Sequence, residues 1–191
     1  MCVESPKATF LEMPLAHSTT PPHQDILHIQ GSPNVWTAWF PLGNCSQELG
    51  GLSVLARSHK VGMLPVHSAL GAGLVAVDTE SIAGEWVGGD FRLGDVLFFH
   101  SHIVHKGLPN VSGNRIRLSV DYRYQRASEV ITDQELLPHR VPFTWEQVYQ
   151  GWKSDKYQFY WKELPLKVVP FDSGVYDVVE EESQGGMGGN V

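Results

Sequence analysis

Nine histidines stand among the 191 residues, and they are not spread evenly. His23-Gln24-Asp25 sets an imidazole and a carboxylate two positions apart. In an extended segment both side chains leave the same face, so a strand end of this kind can offer two ligands to one metal ion. A chance surface pair has the same spacing, so the motif needs a third ligand from far along the chain. The segment Phe98-Phe99-His100-Ser101-His102-Ile103-Val104-His105 holds three candidates, His100, His102 and His105. Two imidazoles and one carboxylate on one face of an octahedral ion leave three positions free. That is the arrangement of non-haem Fe(II) oxygenases, in which the free positions take a bidentate co-substrate and O₂. Such a co-substrate must also be gripped at its distal carboxylate, and the planar fork of arginine suits that task. Arg115 and Arg117 are the available forks, close enough in sequence to His105 for neighbouring strands. A solvated strand face is the plainer explanation for both.

Strands must position these groups, and the sequence supplies many short ones. A β-like stretch at 9–16 is interrupted by Pro14, and the chain reads as though it begins in the middle of a sheet. Residues 26–30 and 35–42 are apolar, rich in β-branched and aromatic types, and divided by the turn Gly31-Ser32-Pro33-Asn34, which predicts two strands. Further strands are expected at 52–55, 74–77 and 96–99, each next to a glycine-bearing turn. Residues 115–124 alternate cleanly. Arg115, Arg117, Ser119, Asp121 and Arg123 project to one side, Ile116, Leu118, Val120, Tyr122 and Tyr124 to the other. Such a strand predicts an apolar face in a core and a polar face over something wet or charged. A short helix is expected at 143–152, with Thr144 as its cap. Many short strands without regular intervening helices predict an all-β jelly roll with minor helices.

Length allows one sizeable core, so residues 1–171 are read as a single domain, followed by an acidic and glycine-rich tail at 172–191. A formal net charge of -7 argues against a nucleic-acid partner, which requires a basic field. Only Cys2 and Cys45 occur, so there is no disulfide framework and an intracellular, cytoplasmic location is expected. No apolar run has the length needed to cross a membrane. Asn44-Cys45-Ser46 and Asn110-Val111-Ser112 match the glycosylation pattern, but without a signal peptide they read as turn residues.

Five motifs occur in an order that resembles the phytanoyl-CoA dioxygenase family. They are Pro22-His23-Gln24-Asp25, Trp39-Phe40-Pro41-Leu42, the run from Gly50 to His59, Gly94-Asp95-Val96-Leu97-Phe98-Phe99-His100, and the stretch from His105 through Ser112 to Tyr124. The resemblance covers about residues 9–127. It implies a double-stranded β-helix, cupin-like in form, and an Fe(II)- and 2-oxoglutarate-dependent oxygenase that uses O₂. Such an enzyme couples decarboxylation of 2-oxoglutarate, giving succinate and CO₂, to hydroxylation of an unactivated C–H bond in a small organic substrate. By the same resemblance His23, Asp25 and His105 are the iron ligands, His105 because the family's distal histidine precedes a turn ending in Asn, here Asn110. His100 and His102 then belong to the surroundings of the metal or the pocket wall. Arg117 resembles the 2-oxoglutarate-binding arginine. Arg115 stays in reserve, because one extra residue separates Asn110 from Arg117. Ser119 is expected on the same carboxylate, Trp39 beside the co-substrate, and Gln24 at the pocket edge. Trp36, Phe98 and Phe99 are expected in the core.

One departure stands out: family members carry a long region before the His-x-Asp motif, where this chain has 22 residues. The jelly roll is therefore expected to be incomplete at the N-terminus, and a catalytically weak or inactive binding domain is the alternative function. The loops at 43–51 and 65–89 are expected to line the mouth. They carry little basic charge, which favours a small, mostly apolar substrate over an acyl-CoA. The sequence carries no signal for oligomeric state.

Overall fold

The computed structural model describes residues 2–4, 9–13, 19–139 and 142–176. The expected strand positions Pro14 to Ala16 and most of the tail, from Asp177 onward, lie outside the described residues. In chain order the strands are β1 (Cys2–Glu4), β2 (Thr9–Met13), β3 (Trp36–Pro41), β4 (Leu52–Leu55), β5 (Val66–Ser68), β6 (Val75–Val77) and β7 (Trp86–Val87). They continue with β8 (Leu97–His100), β9 (His105–Gly107), β10 (Arg117–Arg126), β11 (Val130–Thr132) and β12 (Lys167–Val169). Two one-turn helices join them, α1 (Ile26–Ile29) and α2 (Trp145–Val148).

The main sheet runs β1-β10-β3-β8, with β2 also on β10, and all its pairings are antiparallel. A second sheet, β7-β4-β9, faces it, and β5-β6 forms a hairpin beside it. Chain neighbours β8 and β9 lie in opposite sheets, which is the crossing that defines a double-stranded β-helix. Trp39 and Phe99 from the main sheet pack on Leu52 of the second, with Phe91, Leu97 and Ile103 around them. A second cluster joins Ile26, Leu27, Leu55, Val77 and Val104.

Residues 26–30 do not form the expected strand. The amides of His28 and Ile29 bond back to the Asp25 carbonyl, and that of Gln30 to Ile26, closing one helical turn. Four residues are too few for a period of 3.6 to show in sequence, and burial of Ile26, Leu27 and Ile29 overrides their β propensity. The helix at 143–152 shrinks to α2, where Thr144 caps as expected, accepting from the Gln147 amide within a capping box. At the start of the expected tail, Asp172 exchanges two hydrogen bonds with the Gln30 side chain and Ser173–Tyr176 form a 3₁₀ turn.

Two turns set the strands that matter most. Gly50 has φ +77° and lies so close to Leu108 that an added Cβ would stand 2.4 Å from that carbonyl oxygen. Asn110 is buried; its amide donates to the Arg115 carbonyl at 2.7 Å and its Oδ1 accepts from Ser112. That turn delivers the chain from β9 into β10, two residues later than the sequence suggested.

The alternation of β10 is present with its burial partly inverted. Arg117, Ser119 and Asp121 are buried on the inward face, while Leu118 is 50% exposed on the outward one. Val120 alone among the outward residues from 118 to 124 is fully buried. Trp36 and Phe98 also lie outward, 48% and 57% exposed, so they are not the core residues expected; Phe99, at 5%, is.

Candidate functional site

His23 and His105 meet across an isolated antiparallel bridge, each amide bonded to the other's carbonyl at 3.0 Å. Their rings lie 4.2 Å apart between centroids. Each ring is oriented by its own backbone neighbourhood. His23 Nδ1 is 2.8 Å from the Pro21 carbonyl, and His105 Nδ1 is 3.0 Å from that of Ile103. A carbonyl only accepts, so each Nδ1 carries the proton and each Nε2 is left with a free lone pair. Both lone pairs face Asp25, whose Oδ1 lies 3.9 Å from His23 Nε2 and 3.7 Å from His105 Nε2.

Asp25 reaches this point because the chain turns into α1 immediately after the bridge. The expected convergence is therefore real, but its geometry is a bridge followed by a helix start rather than alternation along one strand. The ligand atoms of His23, Asp25 and His105 all lie within 4.8 Å of one another, and all three residues are buried. Among the described residues no other group of three such side chains is gathered so closely.

The electrostatics keep this constellation ready for a cation. Burial, reinforced by the neighbouring His23, pushes His105 down to about 3, and burial likewise lowers His23. Both imidazoles are therefore neutral at physiological pH. Burial alone would raise Asp25, but Arg123, the two histidines and a hydrogen bond from Thr37 hold it well below the usual carboxylate range. A carboxylate and two neutral imidazoles with inward lone pairs fit a divalent transition metal.

Two contacts on Asp25 had no place in the motif reading. Thr37 Oγ1 donates to Oδ2 at 2.5 Å, and Arg123 Nη2 donates to Oδ1 at 3.3 Å. Thr37 and Arg123 are cross-strand partners on β3 and β10, and Phe99 of β8 completes the same row. The Phe99 ring packs 4.5 Å from that of His105. One row of the main sheet thus bears on two of the three triad residues. Arg123 could have been picked from sequence, since it shares the alternating face with Arg117. Nothing local marks Thr37.

Farther along the same face, Arg117 is 3% exposed and donates to Ser119 Oγ at 2.7 Å. Its guanidinium carbon lies 5.5 Å from the Trp39 ring centre. Arg117 Nε and Trp39 Nε1 are both buried without a partner. Two orphaned donors close together beside a buried cation fit an absent anionic ligand. Arg115 lies elsewhere, half exposed and 3.8 Å from Glu48. Asp121 sits between Arg117 and Arg123, and burial pushes its carboxyl up to about 6 against their pull.

Gln24 departs from expectation. It is fully buried rather than at a pocket edge. Its amide nitrogen donates to the Gly62 and His102 carbonyls at 2.8 Å each, and its oxygen accepts from the Leu64 amide. With both amide protons on backbone carbonyls, it ties 62–64 to 102. The half-buried His100 and His102 cluster with the exposed His59, and the His100 ring stands edge-on to Trp36 on the outward side. A cavity of about 710 Å³ also lies away from the triad, between Trp36, Phe98 and Tyr124.

A sequence pattern described as phytanoyl-CoA dioxygenase (PhyH) matches residues 9–119, more than half of the chain. Over 118 residues the chain is 37% identical to the 1-deoxypentalenic acid 11-beta-hydroxylase of Streptomyces exfoliatus, the match covering 57% of this chain and 42% of that protein. The protein of the same name from Streptomyces arenae is 33% identical over equal shares. The chain thus spans less than half the length of these relatives. Among solved structures, the epimerase SnoN from nogalamycin biosynthesis, in complex with Fe3+, alpha ketoglutarate and nogalamycin RO, is similar with a TM-score of 0.53 and 26% identity. That likeness covers 65% of this chain and 50% of the other. Pattern, relatives and jelly-roll architecture agree, and the chain belongs to the phytanoyl-CoA dioxygenase family.

Proposed function

We propose that this chain carries the metal and co-substrate centre of an Fe(II)- and 2-oxoglutarate-dependent oxygenase, with His23, Asp25 and His105 as iron ligands. The observation that carries the proposal is the pair of inward Nε2 lone pairs converging with Asp25 Oδ1. Held there, Fe(II) supplies the redox chemistry that couples decarboxylation of 2-oxoglutarate, with uptake of O₂, to hydroxylation of a substrate C–H bond.

The protein's share is binding, orientation and exclusion of water. Arg117 pairs with the distal carboxylate of 2-oxoglutarate, its guanidinium already stacked near Trp39 and steadied by Ser119. Trp39 Nε1 donates to the same ligand, which gives its orphaned proton a partner. Phe99 and Trp39 close the inward side with apolar surface, which strengthens every charge–charge contact within. Gln24 and Arg115 have no part in co-substrate binding. The substrate is a small, mostly apolar molecule, in keeping with the 1-deoxypentalenic acid named for the two Streptomyces relatives.

The test is succinate formation by purified protein given Fe(II), 2-oxoglutarate and O₂, with and without a panel of apolar carboxylic acids. Succinate and hydroxylated product in equal amounts, lost in His105→Ala, are expected. Metal-independent succinate, or turnover unaffected by His105→Ala, would sink the reading.

A further inference from the structure

Asp25 is held by two donors of different kinds from two adjacent strands. Thr37 Oγ1 occupies Oδ2 at 2.5 Å, and Arg123 Nη2 reaches Oδ1 at 3.3 Å. Oδ1 is also the atom that faces both imidazoles. An ionised carboxylate oxygen has two lone-pair directions, so Oδ1 can keep Arg123 on one and turn the other to a metal. Oδ2, engaged by Thr37, is turned to the sheet. Asp25 itself sits at the start of a single helical turn, and its side chain makes no hydrogen bond to cap that helix. Its aim is therefore set by the sheet rather than by its own element.

Arg123 is well placed to impose that aim. Its side chain is 14% exposed, and the ion pair with Asp25 is its direct charged contact. Burial opposes its charged form, but the carboxylates of Asp25, Asp121 and Glu135 together outweigh it, with Asp25 the strongest of them. Its cross-strand partner is Thr37, so the two donors are spaced by the β3–β10 ladder and cannot move independently.

Resting on the iron reading above, we propose that Arg123, with Thr37, is a positioning residue that fixes Asp25 as a one-oxygen ligand. The consequence is chemical. A carboxylate free to rotate could chelate through both oxygens and take one of the three coordination positions that a bidentate co-substrate and O₂ require. Clamped at Oδ2, it takes one position only. Partners of metal ligands typically account for about 10–100-fold in metal affinity. Simple repulsion makes the opposite forecast, because a guanidinium beside the site opposes a dication and its removal should tighten binding.

Mn(II) titration followed by the EPR signal of free Mn(II) separates the two, and Co(II) absorption spectra report coordination number. Parent protein and His105→Ala come first: one Mn(II) bound by the parent and none by His105→Ala is expected, and no binding by the parent would sink the iron reading itself. With the parent binding, Arg123→Met should lose about 10–100-fold in affinity. Thr37→Val should lose about 3–10-fold, and Arg123→Lys should recover most of the loss by restoring a cationic donor. The Co(II) spectra of Arg123→Met and Thr37→Val should shift together while that of Arg123→Lys stays near the parent. Equal or tighter Mn(II) binding by Arg123→Met, with circular dichroism like the parent's, would overturn the proposal. Should Arg123→Met fail to fold, Thr37→Val decides: parental affinity and an unchanged Co(II) spectrum overturn it equally.

Discussion

The two faces of the β3–β8–β10 sheet differ in a direction opposite to that of most globular sheets. The inward face carries Arg117, Ser119, Asp121, Arg123 and Thr37, and all of them are buried or nearly so. The outward face carries Trp36, Phe98 and Leu118, each about half exposed. So many polar groups inside would be costly if the inside were merely a core, since a buried polar atom without a partner costs about 1–3 kcal/mol. Here the inward charges are mutually arranged around a carboxylate and two imidazoles, and Arg117 Nε, Arg123 Nε and Trp39 Nε1 still lack partners. The contrast teaches that hydrophobicity alone does not decide burial on this sheet, since these polar groups share the inward face with the equally buried Trp39 and Phe99.

The sharpest way to break that comparison is to exchange two arginines only two residues apart. Arg117 is buried with an orphaned Nε, and Arg115 is exposed against Glu48. Arg117→Ala should weaken 2-oxoglutarate binding by about 30–300-fold, the loss of a charge-assisted bidentate pair worth ~2–3 kcal/mol. Arg115→Ala should change it less than about twofold, as expected for a surface ion pair. Calorimetric titration with 2-oxoglutarate in the presence of Mn(II) checks both. Equal losses would erase the distinction between inward and outward charge at this end of the strand.

That distinction was only partly legible in the sequence. The alternation from Arg117 to Tyr124 fixes which residues share a face, because the period of a strand is 2. It does not say which face is covered. The aromatic type of Trp36 and Phe98 argues for a core, yet whether a layer lies over them is a property of the whole fold. The triad was legible because its histidines and aspartate belong to ordered motifs. Its clamp was not, because Arg123 and Asp25 are 98 residues apart and nothing beside Thr37 in the sequence sets it apart from other strand threonines such as Thr132. Gln24 is a related case. Its neighbours His23 and Asp25 point to the centre, so its own side chain, leaving the other way, meets the backbone at 62, 64 and 102.

Asp121 offers a smaller test within the inward face. Its folded carboxyl is raised to about 6 from an ordinary 3.8. An acid whose folded value is raised binds its proton more tightly when folded, so its contribution is unfavourable once ionised. That cost is absent below about pH 4, grows between about 4 and 6, and is complete above 6. Asp121→Asn should therefore stabilise the protein by up to ~3 kcal/mol at pH 7.5, on ~1.4 kcal/mol for each tenfold change, and by little at pH 4. Denaturant unfolding of parent and variant at both values cancels the titration of all other groups. A variant less stable than its parent at pH 7.5 would mean that attraction to Arg117 and Arg123 outweighs the burial of this carboxylate.

The smallest expected effect lies outward, where Leu118 and Val120 stand two residues apart on the same face of β10. Leu118 is 50% exposed and Val120 3%. Truncation to Ala removes more carbon from Leu118 than from Val120, so residue size alone predicts the larger loss at 118. Burial predicts the reverse. A half-exposed leucine has given up only part of its contact with water, and at ~25 cal/mol per Å² its truncation should cost under ~1 kcal/mol. Val120 is enclosed, and its removal adds a cavity to the transfer loss, so Val120→Ala should cost about 1–2.5 kcal/mol. Urea unfolding of the two variants orders them. If Leu118→Ala proves the more damaging, the outward face is covered in solution by something that buries Leu118. The comparison between the two faces would then hold for polarity but no longer for burial.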